Sequence, residues 1–135
     1  MITTGENIEN ELGDDDVYYN KIKGDTHMRS LRDFHNLYVK NTLIKGVSKP
    51  GGNLIDFAVG MGGDFSKWIQ AKLSFVFGVD ISKDNIENRV RGACARYLNY
   101  RKDHSRMPYA LFLHGNSSVN IRDGSAYYNL SLIHI

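Results

Sequence analysis

Cysteine and proline are nearly missing from this chain of 135 residues, which holds one Cys and two Pro. The lone Cys94 excludes an internal disulfide framework and any zinc site built on several thiolates. It fits a reducing, intracellular setting. No run of about 20 apolar residues occurs, so no membrane-spanning helix and no membrane partner are expected. The start, Met1-Ile2-Thr3-Thr4-Gly5, turns acidic at once, so no secretory signal is expected either. Bases are absent from residues 1–16, which carry six acids: Glu6, Glu9, Glu11, Asp14, Asp15 and Asp16. All 17 bases and 9 acids fall in the remainder, a net charge of +8. The acidic stretch reads as a solvated leader or linker over residues 1–24. The basic remainder suits an anionic partner such as nucleic acid, although a merely soluble surface accounts for it equally well.

What is present is ordinary globular composition, 41% hydrophobic and 24% charged, with room for one domain. Residues 25–46 take a helical period, with Leu31, Phe34 and Tyr38 as its apolar stripe, Asp25 or Thr26 as cap and Gly46 as stop. Ser48-Lys49-Pro50-Gly51-Gly52 is a breaker loop. Leu54–Val59 reads as a buried strand, Gly60–Asp64 as a glycine-rich turn, and Phe65–Lys72 as a helix. Leu73–Asp80 is a second strand. Ser82 then caps a long helix to about Lys102 with a stripe of Ile86, Val90, Ala93 and Tyr97. Tyr109–Leu113 is a third strand, followed by Asn116-Ser117-Ser118. Residues 17–19 offer a short strand or packing arm.

Alternating helices and strands predict an α/β fold: a parallel sheet with right-handed crossovers and helices on both faces. Such sheets bind ligands outside the carboxyl ends of their strands. The unusual residues gather there: the glycine turn after strand one, Asp80 after strand two, Asn116 after strand three. The glycines allow close backbone approach to a ligand, or simply a tight turn. Asp80, 20 residues beyond Gly60, can accept a ribose diol or act as a helix N-cap. Nicotinamide dinucleotide and S-adenosylmethionine both answer to this pattern. Phe65 stands where the dinucleotide fingerprint has its third glycine, which favours S-adenosylmethionine. Cys94, Trp68, His35, His104 and His114 read as packing or surface residues.

Several segments resemble messenger-RNA cap guanine-N7 methyltransferases. Arg32-Asp33-Phe34-His35-Asn36-Leu37-Tyr38-Val39-Lys40, with Leu43-Ile44, is similar to their opening helix. Leu54 to Asp64, with Lys67-Trp68, is similar to their cofactor loop. Phe77-Gly78-Val79-Asp80-Ile81-Ser82 and Asn85–Arg89 resemble their ribose-binding strand end. Gly92-Ala93-Cys94-Ala95-Arg96-Tyr97 resembles the capping enzymes of large cytoplasmic DNA viruses. The likeness spans residues 18–128.

The resemblance implies a Rossmann-like S-adenosylmethionine-dependent methyltransferase fold and transfer of a methyl group to guanine N7 of the mRNA 5′ cap. Lys40 is implied to pair with the cofactor carboxylate, and Asn36, one turn earlier, to contact the cap. Ala58 and Gly60 line the cofactor, Asp80 holds its ribose, and Asn116 and Ser117 border adenine. Two positions depart from the family: Met61 where lysine is usual, and Asn116 where aspartate is frequent. Guanine N7 is already nucleophilic, so no general base and no metal are implied, only alignment of the reacting atoms. Capped mRNA is the implied partner, with triphosphatase and guanylyltransferase domains in the same polypeptide. A viral cytoplasmic setting, host cytoplasm or virion, follows from the same likeness. Other RNA or small-molecule methyltransferases, and a non-catalytic binding module, are the alternatives.

Three strands make half of such a sheet, so residues 25–129 are expected to be the N-terminal half of a domain that is inactive alone. Leu130-Ser131-Leu132-Ile133-His134-Ile135 is a direct translation of CTG-TCT-CTT-ATA-CAC-ATC, which resembles a transposon end used in preparing sequencing libraries. It is expected to be a non-native tail, with a short genuine strand as the alternative.

Overall fold

The computed structural model describes residues 28–128. The leader, the proposed caps Asp25 and Thr26, the arm at residues 17–19 and the tail at 130–135 lie outside them. Three strands, β1 (Asn53–Asp56), β2 (Phe75–Asp80) and β3 (Tyr109–His114), form a parallel sheet in the order β1-β2-β3. The α/β class therefore holds. β1 is shorter than its apolar run because the Asp56 carboxylate accepts the Ala58 N–H (3.1 Å), an Asx-type turn that ends the strand. β2 begins at Phe75, since the Leu73 N–H is still bonded to the Trp68 carbonyl of the preceding helix at 3.2 Å.

The first helix is built in three parts: α1 (Arg29–Asp33), a π-helical segment (Phe34–Val39) and α2 (Lys40–Val47). Its expected apolar stripe is not core. Leu31, Phe34 and Tyr38 are all exposed, and the Phe34 and Tyr38 rings stack on each other at 5.4 Å. The π turn explains this in part, because i→i+5 bonding rotates each following side chain off the 3.6-residue period. Ile44 is the residue of this helix that packs against the core.

After β1, α3 (Phe65–Gln70) returns the chain to β2. The expected helix from Ser82 to Lys102 is two helices, α4 (Lys83–Glu87) and α5 (Ala93–Asp103). Asn88 breaks it: its side-chain oxygen accepts the N–H groups of Val90 and Arg91, each at 3.1 Å, in place of helical bonding. Gly92 then sits so close to the Asn88 backbone that no Cβ fits. Val90, assigned to the stripe, is 81% exposed, whereas Ile86, Ala93 and Tyr97 are buried. Ser82 caps α4 as expected, accepting the Asn85 N–H at 3.2 Å.

One core lies on one face of the sheet. The row Leu54–Val76–Ala110 meets Phe65, Trp68, Tyr97 and Phe112 from α3, α5 and the next row of β3. Trp68 is fully buried, and Cys94 packs at the core margin with its thiol pushed up by burial and by Glu87. Both are packing residues, as expected. Gly78 is glycine for space: a Cβ there would come within 2.8 Å of the Phe112 ring and 3.0 Å of Val59. The opposite row, Ile55–Phe77–Leu111, is thinly covered; Ile55 and Leu111 are exposed, and the Tyr127 ring meets Phe77 edge-on at 5.9 Å.

Candidate functional site

The carboxyl ends of β1, β2 and β3 lie side by side, and the glycine turn closes over the first two. Gly60 and Gly62 take φ values of +57° and +78°, open to glycine with little strain. At Gly62 the Phe65 ring, at the start of α3, occupies the space a Cβ would need. The turn is thereby clamped between the strand end and the core.

Asp80 is the centre of this arrangement. It is 6% exposed, and Oδ2 accepts the Gly60 N–H at 2.8 Å. Oδ1 accepts the Ser82 N–H (2.9 Å) and the Asn85 side-chain amide (3.0 Å). Asp80 is thus not the N-cap of α4; Ser82 is. Three of the roughly four acceptor directions of a carboxylate are used. Asp80 latches the glycine turn to the end of β2, which spacing alone did not disclose.

Lys40 reaches the turn from the other side. Its Nζ lies 3.2 Å from Asp64 Oδ2, while Lys67 Nζ lies 2.7 Å from Asp64 Oδ1. Asp64 stands at the N-terminus of α3, but its carboxylate joins two lysines instead of capping the helix. Lys67 is buried, and Lys40 remains 40% exposed at its side chain. Two of the three ammonium protons of Lys40 are left for another acceptor. Ala58 lies exposed in the turn after β1. Its partner Asp56 has its carboxyl pushed up by burial; the Ala58 N–H opposes this, Asp64 adds to it, Lys40 opposes it and Asp80 adds to it.

Sequence reasoning missed Asp56, Asp64 and Lys67. Their signal was weak, an acid ending the first strand and an Asp-x-x-Lys pair opening a helix. Arg96 entered only within the Gly92–Tyr97 motif and was given no role, yet Arg96 Nη1 donates to the Met61 carbonyl at 2.9 Å and brings a guanidinium to the turn.

Asn116 follows Gly115, whose N–H donates to the Asp80 carbonyl at 2.9 Å, and its own N–H donates to the Ala126 carbonyl at 2.7 Å. Its side-chain oxygen accepts from the Ser118 N–H (3.0 Å) and hydroxyl (2.6 Å). The amide NH₂ is the group left to meet a ligand. Ser117 is exposed beside it. His114 places Nε2 3.0 Å from the Ile81 carbonyl, which can only accept, so the ring is a structural donor. Asn36 stands apart. It lies in the π-helical segment, half-buried, and among the described residues no hydrogen bond joins it to Lys40 or to the glycine turn.

A glycine turn latched by an acid, a lysine brought to its edge and a polar third strand end stand together outside the carboxyl ends of the strands, where open parallel sheets take their ligands. Among known proteins, the mRNA (guanine-N(7))-methyltransferase domain profile matches residues 14–126. The probable mRNA-capping enzyme of Acanthamoeba polyphaga mimivirus is 27% identical over 125 residues, 87% of this chain and 10% of that protein. The mRNA cap guanine-N(7) methyltransferase of Saccharomyces cerevisiae is 38% identical over 72 residues, 53% of this chain and 16% of that protein. Methyltransferase 1 of the same description from Arabidopsis thaliana is 32% identical over 78 residues, 58% of this chain and 19% of that protein. The chain thus spans less than a fifth of the length of these relatives. The profile runs through the glycine turn, Asp80 and Asn116 alike, and by that match the chain belongs to the mRNA (guanine-N(7))-methyltransferase domain family.

Proposed function

We propose that this chain takes part in methyl transfer from S-adenosylmethionine to guanine N7 of an mRNA 5′ cap. The observation that carries the reading is the latch between Asp80 and Gly60, which sets a side-chain-free turn beside a buried carboxylate. The residues fit an S-adenosylmethionine ligand. The exposed Gly63 brings side-chain-free backbone to the edge of the turn, Asp80 keeps acceptor capacity for a ribose hydroxyl, and Lys40 offers a cation to a carboxylate. Ala58 lines the crevice, and Asn116 and Ser117 border its adenine end, where the Asn116 amide donates to a ring nitrogen. Asn36 lies on the helix that carries Lys40 and is assigned to the cap side.

S-adenosylmethionine supplies an electrophilic methyl on a sulfonium, and guanine N7 takes it without prior deprotonation. The chain's residues therefore bind and align; none moves a proton. Capped RNA is the substrate in this reading. The mimivirus relative, named a probable mRNA-capping enzyme, supports action on mRNA 5′ ends; triphosphatase and guanylyltransferase domains in the same polypeptide and a host-cytoplasm or virion setting belong to this reading.

Calorimetry of the chain with S-adenosylmethionine and with NAD tests the cofactor. Saturable S-adenosylmethionine binding is expected, weakened by about 1.5–3 kcal/mol in Lys40→Ala, the worth of a charge-assisted hydrogen bond. Lys40→Ala should leave folding nearly unchanged, because Asp64 keeps Lys67. Preference for NAD, or S-adenosylmethionine affinity indifferent to Lys40, overturns the assignment.

A further inference from the structure

We infer that a basic cleft at the amino ends of the strands, on the far side of the sheet from the glycine turn, holds the phosphodiester backbone of RNA; this rests on the reading of the protein as acting on RNA. The cleft has a volume of about 670 Å³ and is lined by Lys45, Ile69, Gln70, Lys72, Leu73 and Arg106. Three of its six lining residues are cations and none is an acid. Among the described residues, none of the three cations is in an ion pair. The acids of the sheet lie at the other end, at Asp56 and Asp80, so charge is divided along the strands. A six-residue β2 separates the two ends by about 20 Å. The cleft and the turn share α2: Lys45 lines the cleft, whereas Lys40, five residues earlier, bonds Asp64 at the turn.

Lys72 gives an independent sign. It is the one non-glycine residue with positive φ, at 54°, among the described residues. The position follows the end of α3, where glycine is the favoured residue. A lysine here is held against backbone preference, and strain of that kind collects at binding sites. Its carbonyl is tied down by the Gly51 N–H at 2.7 Å, which fixes the lysine against the loop before β1. Ile69 and Leu73 back the cleft from the core, Leu73 at 5% exposure, so the three cations are what it offers a ligand. A polynucleotide strand presents a phosphate to each of them.

Fluorescence anisotropy of a short, unstructured, uncapped RNA with the 135-residue chain, across a salt series, tests this. Lys72→Gly relieves the backbone while removing the charge, so the expected result is RNA binding weakened about fivefold with no fall in melting temperature. The slope of log K against log salt should drop by about 0.7 for each phosphate no longer neutralised. Adding Lys45→Gln and Arg106→Gln should deepen both effects and leave S-adenosylmethionine binding untouched. Parent-like RNA affinity in the triple variant, or no RNA binding by the parent, overturns the inference. Tripolyphosphate binding that falls in the triple variant as much as RNA binding marks a free-anion site and overturns it too. Loss of RNA binding in the variants of a chain that never bound S-adenosylmethionine upholds the cleft and defeats the cofactor reading alone.

Discussion

Asp56 is the residue at which pH and folding meet. Burial is the main reason its carboxyl is raised above the ordinary Asp value, so the folded state holds that proton more tightly than the unfolded chain. A group raised on folding contributes stability at low pH and loses it as pH climbs through its folded pKa. At neutral pH the ionised, partly buried carboxylate is therefore a burden. Asp56→Asn keeps an oxygen for the Ala58 N–H and removes the charge. Urea unfolding at pH 7 is expected to show the variant more stable than the parent, with the gap closing as pH falls into the carboxylate range. A gap that persists or widens on acidification would contradict the burial argument.

Between elements, Asp64 is the rivet. It stands at the start of α3 and binds Lys40 at the start of α2 and Lys67 within α3. A second, uncharged tie joins the same helices, from the Asn41 amide to the Gln70 oxygen at 3.1 Å. Asp64→Ala leaves Lys67, only 7% exposed at its side chain, without an acid. Stranding one partner of a buried pair costs about 3–5 kcal/mol, whereas replacing the pair by apolar groups is often nearly neutral. Chemical denaturation should therefore find Asp64→Ala severely destabilised and Asp64→Ala with Lys67→Met largely recovered. Equal losses in both variants would mean that Lys67 escapes to water and that no buried charge is at stake.

For the whole molecule, the sheet is asymmetric among the described residues. One face is filled by α3 and α5; the other shows Ile55 and Leu111 at 48% and 41% exposure, with Tyr109 at 67%. β1 and β3 are both edges of the described sheet. Apolar faces and open edges promote association. Light scattering of the 135-residue chain is expected to show concentration-dependent association, reduced by Ile55→Thr with Leu111→Thr. Unchanged association in that double variant would remove this face from consideration.

Sequence alone determined the alternation of helix and strand, the parallel sheet and the three strand ends that make the crevice. These follow from short-range pattern: apolar runs of strand length, glycine at a forced turn, a serine before a helix. It also singled out Lys40, Gly60 and Asp80, which the fold brings to the carboxyl end of the sheet. Tertiary structure decided what those residues touch. Asp80 finds Gly60 20 residues away, and Asp64 finds Lys40 24 residues away. No local period carries such pairings. The break at Asn88 and the π turn at Phe34–Val39 escaped the helical pattern because side-chain bonding and wider winding change the period without changing the composition. The exposure of Leu31, Phe34 and Tyr38 escaped it for another reason: an apolar stripe says which face is apolar, and only the packed chain decides whether anything lies against it.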